Sequence, residues 1–314
     1  MPRRILLVDD NPLVLTGLAR MLRPHRHEWD IVLAGGGDDA LAAIEGSAFD
    51  AVVTDMRMPG VDGADLLDAA RRRQPGAMRI ILTGHVSHEV ALRSLRMAHQ
   101  CLSKPCSAAT LSHTINAALA LGEALIDPQL RSAVAAIDAL PSRPHAYREL
   151  LEALQSPRRT TEQIAEIVSR DLGMTCKVLQ VANAACFRGE EAPVESVGRA
   201  VRQIGCDVVQ QLALAPGTFN PIDDGRLLPF VDEHTDRLST HRRESHSDAV
   251  CDVGHLALST IRGSRYIGRA DAASALDGPG GQPGKPMSDS PESVGAYVLA
   301  LWGIPLAAVL GSQA

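Results

Sequence analysis

The sequence predicts an α/β domain, built on a doubly wound five-stranded parallel sheet, followed by an all-α domain. Over residues 1–122, short apolar runs alternate with amphipathic helical patterns, which is typical of strands buried on both faces of a parallel sheet. From residue 133 onward, helical periodicity continues without strand-like runs. The length of 314 residues is also natural for two domains.

In the first domain, turn residues or helical patterns bound each apolar run, and this sets the order of the elements. The predicted strands lie near residues 4–8, 30–34, 51–54, 79–83 and 100–103. The predicted helices lie near residues 12–22, 37–46, 63–73, 87–98 and 107–122. Pro128 excludes a long helix after residue 122, so residues 123–132 are expected to link domains at 1–122 and 133–314.

Polar side chains follow four of these strands. Asp9 and Asp10 follow the first, Asp55 the third, Thr83 the fourth and Lys104 the fifth. Parallel strands place their carboxyl ends at one edge of the sheet, where open α/β folds bind their ligands. Carboxylates gathered there repel one another unless a hard cation joins them, and Mg²⁺ takes such oxygen ligands. A carboxylate beside Mg²⁺ and a lysine is suited to accept a phosphoryl group.

The motifs DD at residues 9–10, DMRMPGVDG from Asp55, ILTGH and LSKPC occur in order along the first domain. Together they resemble the receiver domain of two-component response regulators, which has a flavodoxin-like fold. The resemblance implies that Asp55 is the phospho-acceptor. It also implies a Mg²⁺ site with these ligands: Asp9, Asp10, Asp55 and the backbone carbonyl of Arg57. A single Asp after a strand is more often a helix cap, and Asp10 can cap the next helix as well.

The same resemblance assigns a switch to the polar strand ends. Thr83 would move toward the phosphoryl group, and Lys104 would pair with it. Arg57 and His85 stand at positions that tune the lifetime of the phosphoryl group. The peptide bond after Lys104 is expected to be cis. The family usually has Tyr or Phe three residues before the lysine, where this chain has Cys101, so the route that reports phosphorylation is left open.

The second domain resembles another family over residues 133–215. The stretches LPSRPHAYRELLEAL, IAEIVSRDLGMTCKVLQVANAACFRG and VESVGRAVRQIGCDVVQQLAL look like the N-terminal half of an HDOD domain, with Asn183 in its most telling segment. Thr160 and Gln163 form a capping box that starts one helix. HDOD domains are helical relatives of the HD phosphohydrolases that lack the full metal-ligand set. The resemblance implies a helical module that binds another protein.

Residues 216–291 are expected to be divergent or partly disordered, and a frameshifted or deleted remnant over residues 216–314 stays open as an alternative. Cys251 stands where the HD pair would have its histidine. The candidate ligands of an HD-type metal site are His234, His241, His246, Asp252 and His255. Because the His-Asp pair is broken, we expect no HD-type catalytic residue. A signalling phosphohydrolase of the HD superfamily acting on a cyclic dinucleotide, and a receiver with a non-functional output half, stay open as alternatives.

Two later stretches carry expectations of their own. The uncharged stretch from Val294 to Gly311 is as long as a membrane span. Pro305 divides it and no basic flank follows, so we predict two buried helices and not a tail anchor. Residues 277–291, DGPGGQPGKPMSDSP, predict a flexible loop.

Composition and charge limit the classes of partner and the compartment that we expect for this protein. A formal net charge of −6 and the lack of a helix-turn-helix pattern argue against direct nucleic-acid binding. The scattered cysteines fit reduced cytoplasmic thiols, and the N-terminus lacks a signal-peptide pattern. We therefore expect a cytoplasmic phosphorelay regulator without membrane contact, phosphorylated by a histidine kinase or phosphotransfer protein and signalling to another protein. A homodimer through the receiver is left open.

Overall fold

The structure, a computed structural model, describes residues 2–84, 92–93, 95–125, 127–189, 192–222, 228–240, 246–262 and 290–305. Its first part contains a five-stranded sheet. The strands are β1 (Arg3–Val8), β2 (Trp29–Ala34), β3 (Ala51–Asp55), β4 (Met78–Thr83) and β5 (Gln100–Ser103). All pairs are parallel and the order is β2-β1-β3-β4-β5, so the predicted doubly wound sheet is confirmed.

The strand register brings the carboxyl ends of the inner strands to one edge of the sheet. Val8 lies opposite Thr54, and Thr83 lies opposite Ser103. The apolar residues of β1, β3 and β4 are buried, as expected for strands covered on both faces. The polar residues that follow these strands therefore share the edge that the sequence predicted.

The helices between and after the strands follow the predicted order. Those with complete bounds are α1 (Pro12–Met21), α2 (Gly37–Gly46), α3 (Gly63–Arg73) and α4 (Ala108–Ala124). Most of the helix predicted at 87–98 lies outside the described residues, although 92, 93 and 95 are helical. The expectation that Asp10 caps α1 is wrong, since the Asn11 side chain accepts from the Leu13 N–H. Asn11 takes this role because it directly precedes Pro12, the first residue of the helix.

The stretch expected to be a linker, residues 123–132, is packed against the rest of the protein. Helix α4 runs to Ala124, and α5 (Pro128–Ala135) starts with proline in its first turn. Pro128 ends the earlier helix as expected, but it also suits the start of a new one. Leu125 and Leu130 are buried, so this stretch differs from a free linker.

The second part is helical, as predicted. Within the described residues, its helices are α6 (Pro144–Gln155), α7 (Thr161–Ser169), α8 (Leu172–Asn183), α9 (Ala185–Arg188), α10 (Val197–Ile204), α11 (Cys206–Leu214), α12 (Leu228–Thr240), α13 (His246–Arg262) and α14 (Pro291–Leu301). Thr160 caps α7 by accepting from the Gln163 N–H at 3.2 Å, which confirms the predicted helix start. One feature departs from the all-α expectation. The two-residue strands β6 (Pro141–Ser142) and β7 (Asn220–Pro221) form a parallel pair.

The two parts pack directly on each other. Strand β5 lies against α9, and α14 lies against α4 and α5. The Gln100 side chain of β5 donates to the Ala300 carbonyl of α14 at 2.8 Å. Gly122 of α4 has no room for a side chain, because a Cβ there would meet the Tyr297 ring at 2.9 Å. The buried apolar residues of both parts consequently form one continuous core.

The C-terminal apolar stretch is described only in part. Ser290 caps α14, which ends at Leu301, and residues 306–314 lie outside the described residues. The predicted loop at 277–291 also lies outside them, apart from its last two residues. Among the residues described, the structure holds no helix with the length and hydropathy to cross a membrane.

Candidate functional site

Three of the predicted site residues meet at the carboxyl edge of the sheet. The Lys104 Nζ donates to Asp9 Oδ2 at 2.6 Å and also to Asp55 Oδ1. Asp9 is 2% exposed, and Asp55 and Lys104 are partly buried. One ammonium group therefore joins two carboxylates that come from different strands.

The backbone holds the second oxygen of each carboxylate. Asp9 Oδ1 accepts from the Asn11 N–H at 2.9 Å, and Asp55 Oδ2 accepts from the Arg57 N–H at 2.8 Å. At the start of α3, Gly63 lies so close that a Cβ would overlap the Asp55 carbonyl oxygen. These contacts orient both carboxylates toward the same point at the end of the sheet.

The charge of Lys104 is stabilised by its partners. Burial by itself lowers the pKa of Lys104, but the hydrogen bonds to Asp55 and Asp9 raise that pKa above its ordinary value. The side chain therefore carries a fixed positive charge at neutral pH. Such a charge stabilises a group that brings negative oxygens to this edge.

The arrangement of oxygen donors fits a hard divalent cation. The Asp9 and Asp55 carboxylates already converge on one positive charge, and carboxylate and carbonyl oxygens are the ligands that Mg²⁺ prefers. Asp10 is exposed next to them. Within the described part of the chain, no three His, Cys, Asp or Glu side chains are already gathered around a metal position. The carboxylate oxygens of Asp9, Asp10 and Asp55 nevertheless suit Mg²⁺ by their chemistry.

The other predicted switch residues are placed as follows. Thr83 is buried at the end of β4, and its Oγ1 donates to the Gly84 carbonyl at 3.3 Å. The Lys104 N–H donates to the Thr83 carbonyl at 2.7 Å, so the two residues are directly linked. The peptide bond after Lys104 is cis, as expected. Arg57 is exposed, and His85 lies outside the described residues.

A buried polar junction, Arg79 with His99, was missed from the sequence. Arg79 of β4 is 1% exposed, and its Nε donates to the Met97 carbonyl at 2.8 Å. The Arg79 N–H donates to His99 Nδ1 at 3.0 Å, so His99 Nε2 carries the proton given to the Ala135 carbonyl at 2.8 Å. Burial, then the charge of Arg79, holds the pKa of His99 well below 6.5. Burial also lowers the pKa of Arg79 to about 10.

The second part contributes a buried lysine to the same region. Lys177 of α8 donates to the Asp138 carbonyl at 2.5 Å and to Gln180 Oε1 at 2.8 Å. Gln180 Nε2 donates in turn to the His99 carbonyl at 3.2 Å. Burial lowers the pKa of Lys177 to about 8. A sequence signal existed, because Arg79 interrupts an apolar strand and Lys177 interrupts an apolar helix.

The candidate HD-type residues are brought together only in part. His234 Nδ1 and Asp252 Oδ1 are 2.7 Å apart and buried. The rings of His234 and His255 stack with centroids 4.4 Å apart. Cys251 of α13 is partly exposed. The side chains of His241 and His246 lie outside the described residues.

Comparison with protein families gives two matches in this chain. The family model described as response regulator receiver domain matches residues 5–116. The family model described as HDOD domain matches residues 140–236. The first match contains Asp9, Asp55 and Lys104, and the second contains Asn183.

Among curated relatives, the chain is 43% identical over 94 residues to a response regulator receiver protein of Anaeromyxobacter sp. (strain Fw109-5), covering 30% of this chain and 38% of that protein. It is 34% identical over 127 residues to the photosynthetic apparatus regulatory protein RegA of Rhodobacter capsulatus, covering 40% of this chain and 66% of RegA. The chain therefore spans less than two thirds of the length of these relatives.

Two solved structures are similar to the first part. One is the signal receiver domain of an HD domain-containing protein from Pseudomonas fluorescens Pf-5, at 26% identity and a TM-score of 0.34, covering 36% of this chain and 90% of that one. The other is the receiver domain of a sensor histidine kinase from Pseudomonas aeruginosa PAO1 with a coordinated magnesium ion. It is 27% identical with a TM-score of 0.34, covering 37% of this chain and 96% of that one.

Proposed function

We propose that this chain is a response regulator in phosphorelay signalling, which accepts a phosphoryl group on Asp55 and signals through an HDOD domain. The matches to a receiver model over residues 5–116 and to an HDOD model over residues 140–236 support this. The observation that carries the proposal is the cluster of Asp9, Asp55 and Lys104 at the carboxyl edge of the sheet. The donor is a histidine kinase or a phosphotransfer protein. We place the protein in the cytoplasm, where such donors act.

In the proposed reaction, a carboxylate oxygen of Asp55 attacks the phosphorus of a phosphohistidine, the new O–P bond forms and the N–P bond breaks. The Lys104 ammonium neutralises part of the charge on the transferred group. The Lys104 ammonium and the backbone N–H of Arg57 hold the reacting carboxylate in place, and Asp9 holds Lys104. Bound Mg²⁺ would neutralise the phosphoryl oxygens; its ligands would be Asp9, Asp10, Asp55 and the backbone carbonyl of Arg57.

The switch then runs along the ends of β4 and β5. Thr83 would turn toward the phosphoryl group, while Lys104 would exchange a carboxylate for a phosphoryl oxygen. The hydrogen bond from Lys104 N–H to the Thr83 carbonyl supports a joint movement of the two residues. Arg57 and His85 would tune the lifetime of the phosphoryl group and not its acceptance.

The output is proposed to be a protein contact and not a reaction. Cys251 occupies the position where an HD phosphohydrolase needs its histidine, which supports a non-catalytic HDOD domain. The neighbouring Asp252 is hydrogen-bonded to His234. We propose that phosphorylation changes the helical surface that the HDOD domain offers to a downstream protein.

The proposal is tested with the full chain, acetyl phosphate and Mg²⁺, with phosphate-affinity electrophoresis as readout. Asp55→Asn should lose phosphorylation entirely, and chelation of Mg²⁺ should abolish it in the wild type. Asp62→Asn is the matched control, because Asp62 caps α3 and the amide oxygen keeps that cap. Phosphorylation of Asp55→Asn at the wild-type rate would overturn the assignment of the acceptor.

A further inference from the structure

Two cysteines from different domains meet where the receiver contacts the HDOD domain. Cys101 of β5 is 4% exposed, and Cys186 of α9 is partly buried at the edge of the same core. Their side chains interact where β5 packs directly on α9. Neither cysteine is in a disulfide. They are the only point at which a sulfur–sulfur bond could join β5 to α9 in the described part of the chain.

The two thiols differ in reactivity. The interaction with Cys101 lowers the pKa of Cys186 below its ordinary value. The same pairing, followed by burial, raises the pKa of Cys101 well above its ordinary value. Because the thiolate is the nucleophile in thiol chemistry, Cys186 is the thiol that reacts first. Cys101 is then the thiol that reacts second.

Cys186 is itself partly exposed to solvent, and Cys101 lies at the wall of a neighbouring cavity. A partly open cavity of about 710 Å³ lies between the two domains, and Cys101 is part of its wall. The polar side chains of His113 and Arg188 and the ring of Trp302 also line it. A cavity of this size and mixed lining is large enough to admit a tripeptide disulfide.

We propose that Cys101 and Cys186 form a dithiol that closes to an interdomain disulfide by exchange with a small-molecule disulfide such as oxidised glutathione. The Cys186 thiolate attacks one glutathione sulfur, forms a mixed disulfide and releases one glutathione. Cys101 loses its proton and attacks Cys186 Sγ, which forms the protein disulfide and releases the second glutathione. The protein is oxidised by two electrons, and one glutathione disulfide is reduced to two thiols.

The consequence of closure follows from the position of Cys101. Strand β5 directly precedes Lys104, so a covalent bond to α9 would restrain the strand that carries the switch. Oxidation would thus uncouple the HDOD domain from the receiver, in the sense that the restrained strand could no longer transmit the switch movement. This consequence rests on the proposed function, whereas disulfide formation itself does not.

The test uses the full chain in glutathione buffers of increasing oxidised fraction, followed by tryptic digestion without reduction and mass spectrometry. We expect the peptide VLQVANAACFR, with Cys186, linked to the peptide that spans residues 97–131. That second peptide holds both Cys101 and Cys106, so Cys106→Ser is the matched control and should keep the link. Cys101→Ser and Cys101→Ala should lose it, and dithiothreitol should reverse it.

The outcome in the wild type is decisive, since it does not depend on the folding of a variant. Glutathione on Cys186 without any linked peptide, or a link that survives Cys101→Ala, would overturn the proposal. Hydrogen exchange with beryllofluoride then tests the consequence: α8 to α10 should respond in the reduced protein and lose the response after oxidation. No response in the reduced protein would count against the proposed function, and a retained response after oxidation would count against the uncoupling.

Discussion

Asn183 ties a buried backbone segment to the HDOD helix α8, and its removal should weaken that domain by about 3 kcal/mol. Its Oδ1 accepts from the Val194 N–H at 2.8 Å, and its Nδ2 donates to the Val194 carbonyl at 2.9 Å. Nδ2 also donates to the Leu179 carbonyl at 3.0 Å. Val194 is fully buried, so water does not replace these bonds when the side chain is truncated.

The magnitude follows from the two backbone groups of Val194. Each buried polar group left without its hydrogen-bond partner costs ~1–3 kcal/mol. Asn183→Ala leaves the N–H and the carbonyl of Val194 without partners, so it should lower the stability by ~2–6 kcal/mol. The bond to Leu179 adds little, because that carbonyl already accepts within the helix. Because the segment around Val194 can relax after the substitution, we expect a loss of stability of about 3 kcal/mol, in the lower half of this range.

Native-state hydrogen exchange of the full chain measures this loss where it occurs. The protected amides of α8 and α10 should exchange about 150-fold faster in Asn183→Ala, which corresponds to about 3 kcal/mol. The amides of β1 in the receiver should keep their wild-type rates. Asn220→Ala is the control, since Asn220 is exposed in the same domain and its truncation should cost less than ~0.5 kcal/mol.

A loss below ~0.5 kcal/mol for Asn183→Ala would refute the reasoning. It would mean that the Val194 groups find other partners and that Asn183 does not hold the domain together. An equal acceleration in β1 and in α8 would refute a different step, since the HDOD domain would then not open separately from the receiver.

Two further predictions concern the site and the domain junction. Gly63→Ala should slow phosphoryl acceptance and cost ~1–3 kcal/mol of stability, because its Cβ would overlap the Asp55 carbonyl, whereas Gly46→Ala has open space and should behave as wild type; equal acceptance rates in both variants would contradict this. Below pH 6.5 the protein should lose stability by up to ~1.4 kcal/mol per pH unit, because the unfolded state then binds the proton that burial and Arg79 deny to folded His99. Denaturant titrations of wild type and His99→Gln measure this, and parallel pH curves would exclude His99 as the cause.

The strand ends could be predicted because the information lies within a few residues of the chain. An apolar β-branched run followed by an acid predicts both a buried strand and the place of its last side chain. Asp9 and Asp55 came to one edge for this reason, and Lys104 joined them. The family matches place the same residues within a receiver domain, and Asn183 within an HDOD domain.

Local patterns were less informative at the borders between elements. Pro128 was expected to exclude a long helix after residue 122, but proline also suits the first turn of a new helix, and the structure shows one starting there with Leu130 buried. The cap of α1 depends on which of two adjacent polar residues directly precedes the helix, and Asn11 takes that place. The short pair of β6 and β7 joins residues far apart in the chain, so no local pattern contains it.

Periodicity and polarity act over short distances along the chain, so they were enough to predict the order of the elements and the acid-lysine cluster. The single core of the two parts, the burial of Arg79 and His99 at their junction, and the interaction of Cys101 with Cys186 join segments that are far apart in the chain, so no local pattern predicts them. The sequence shows that a side chain is charged or carries a thiol, but not whether water or another segment of the protein surrounds it. Its surroundings, which set its pKa and its partners, come from segments far away in the sequence.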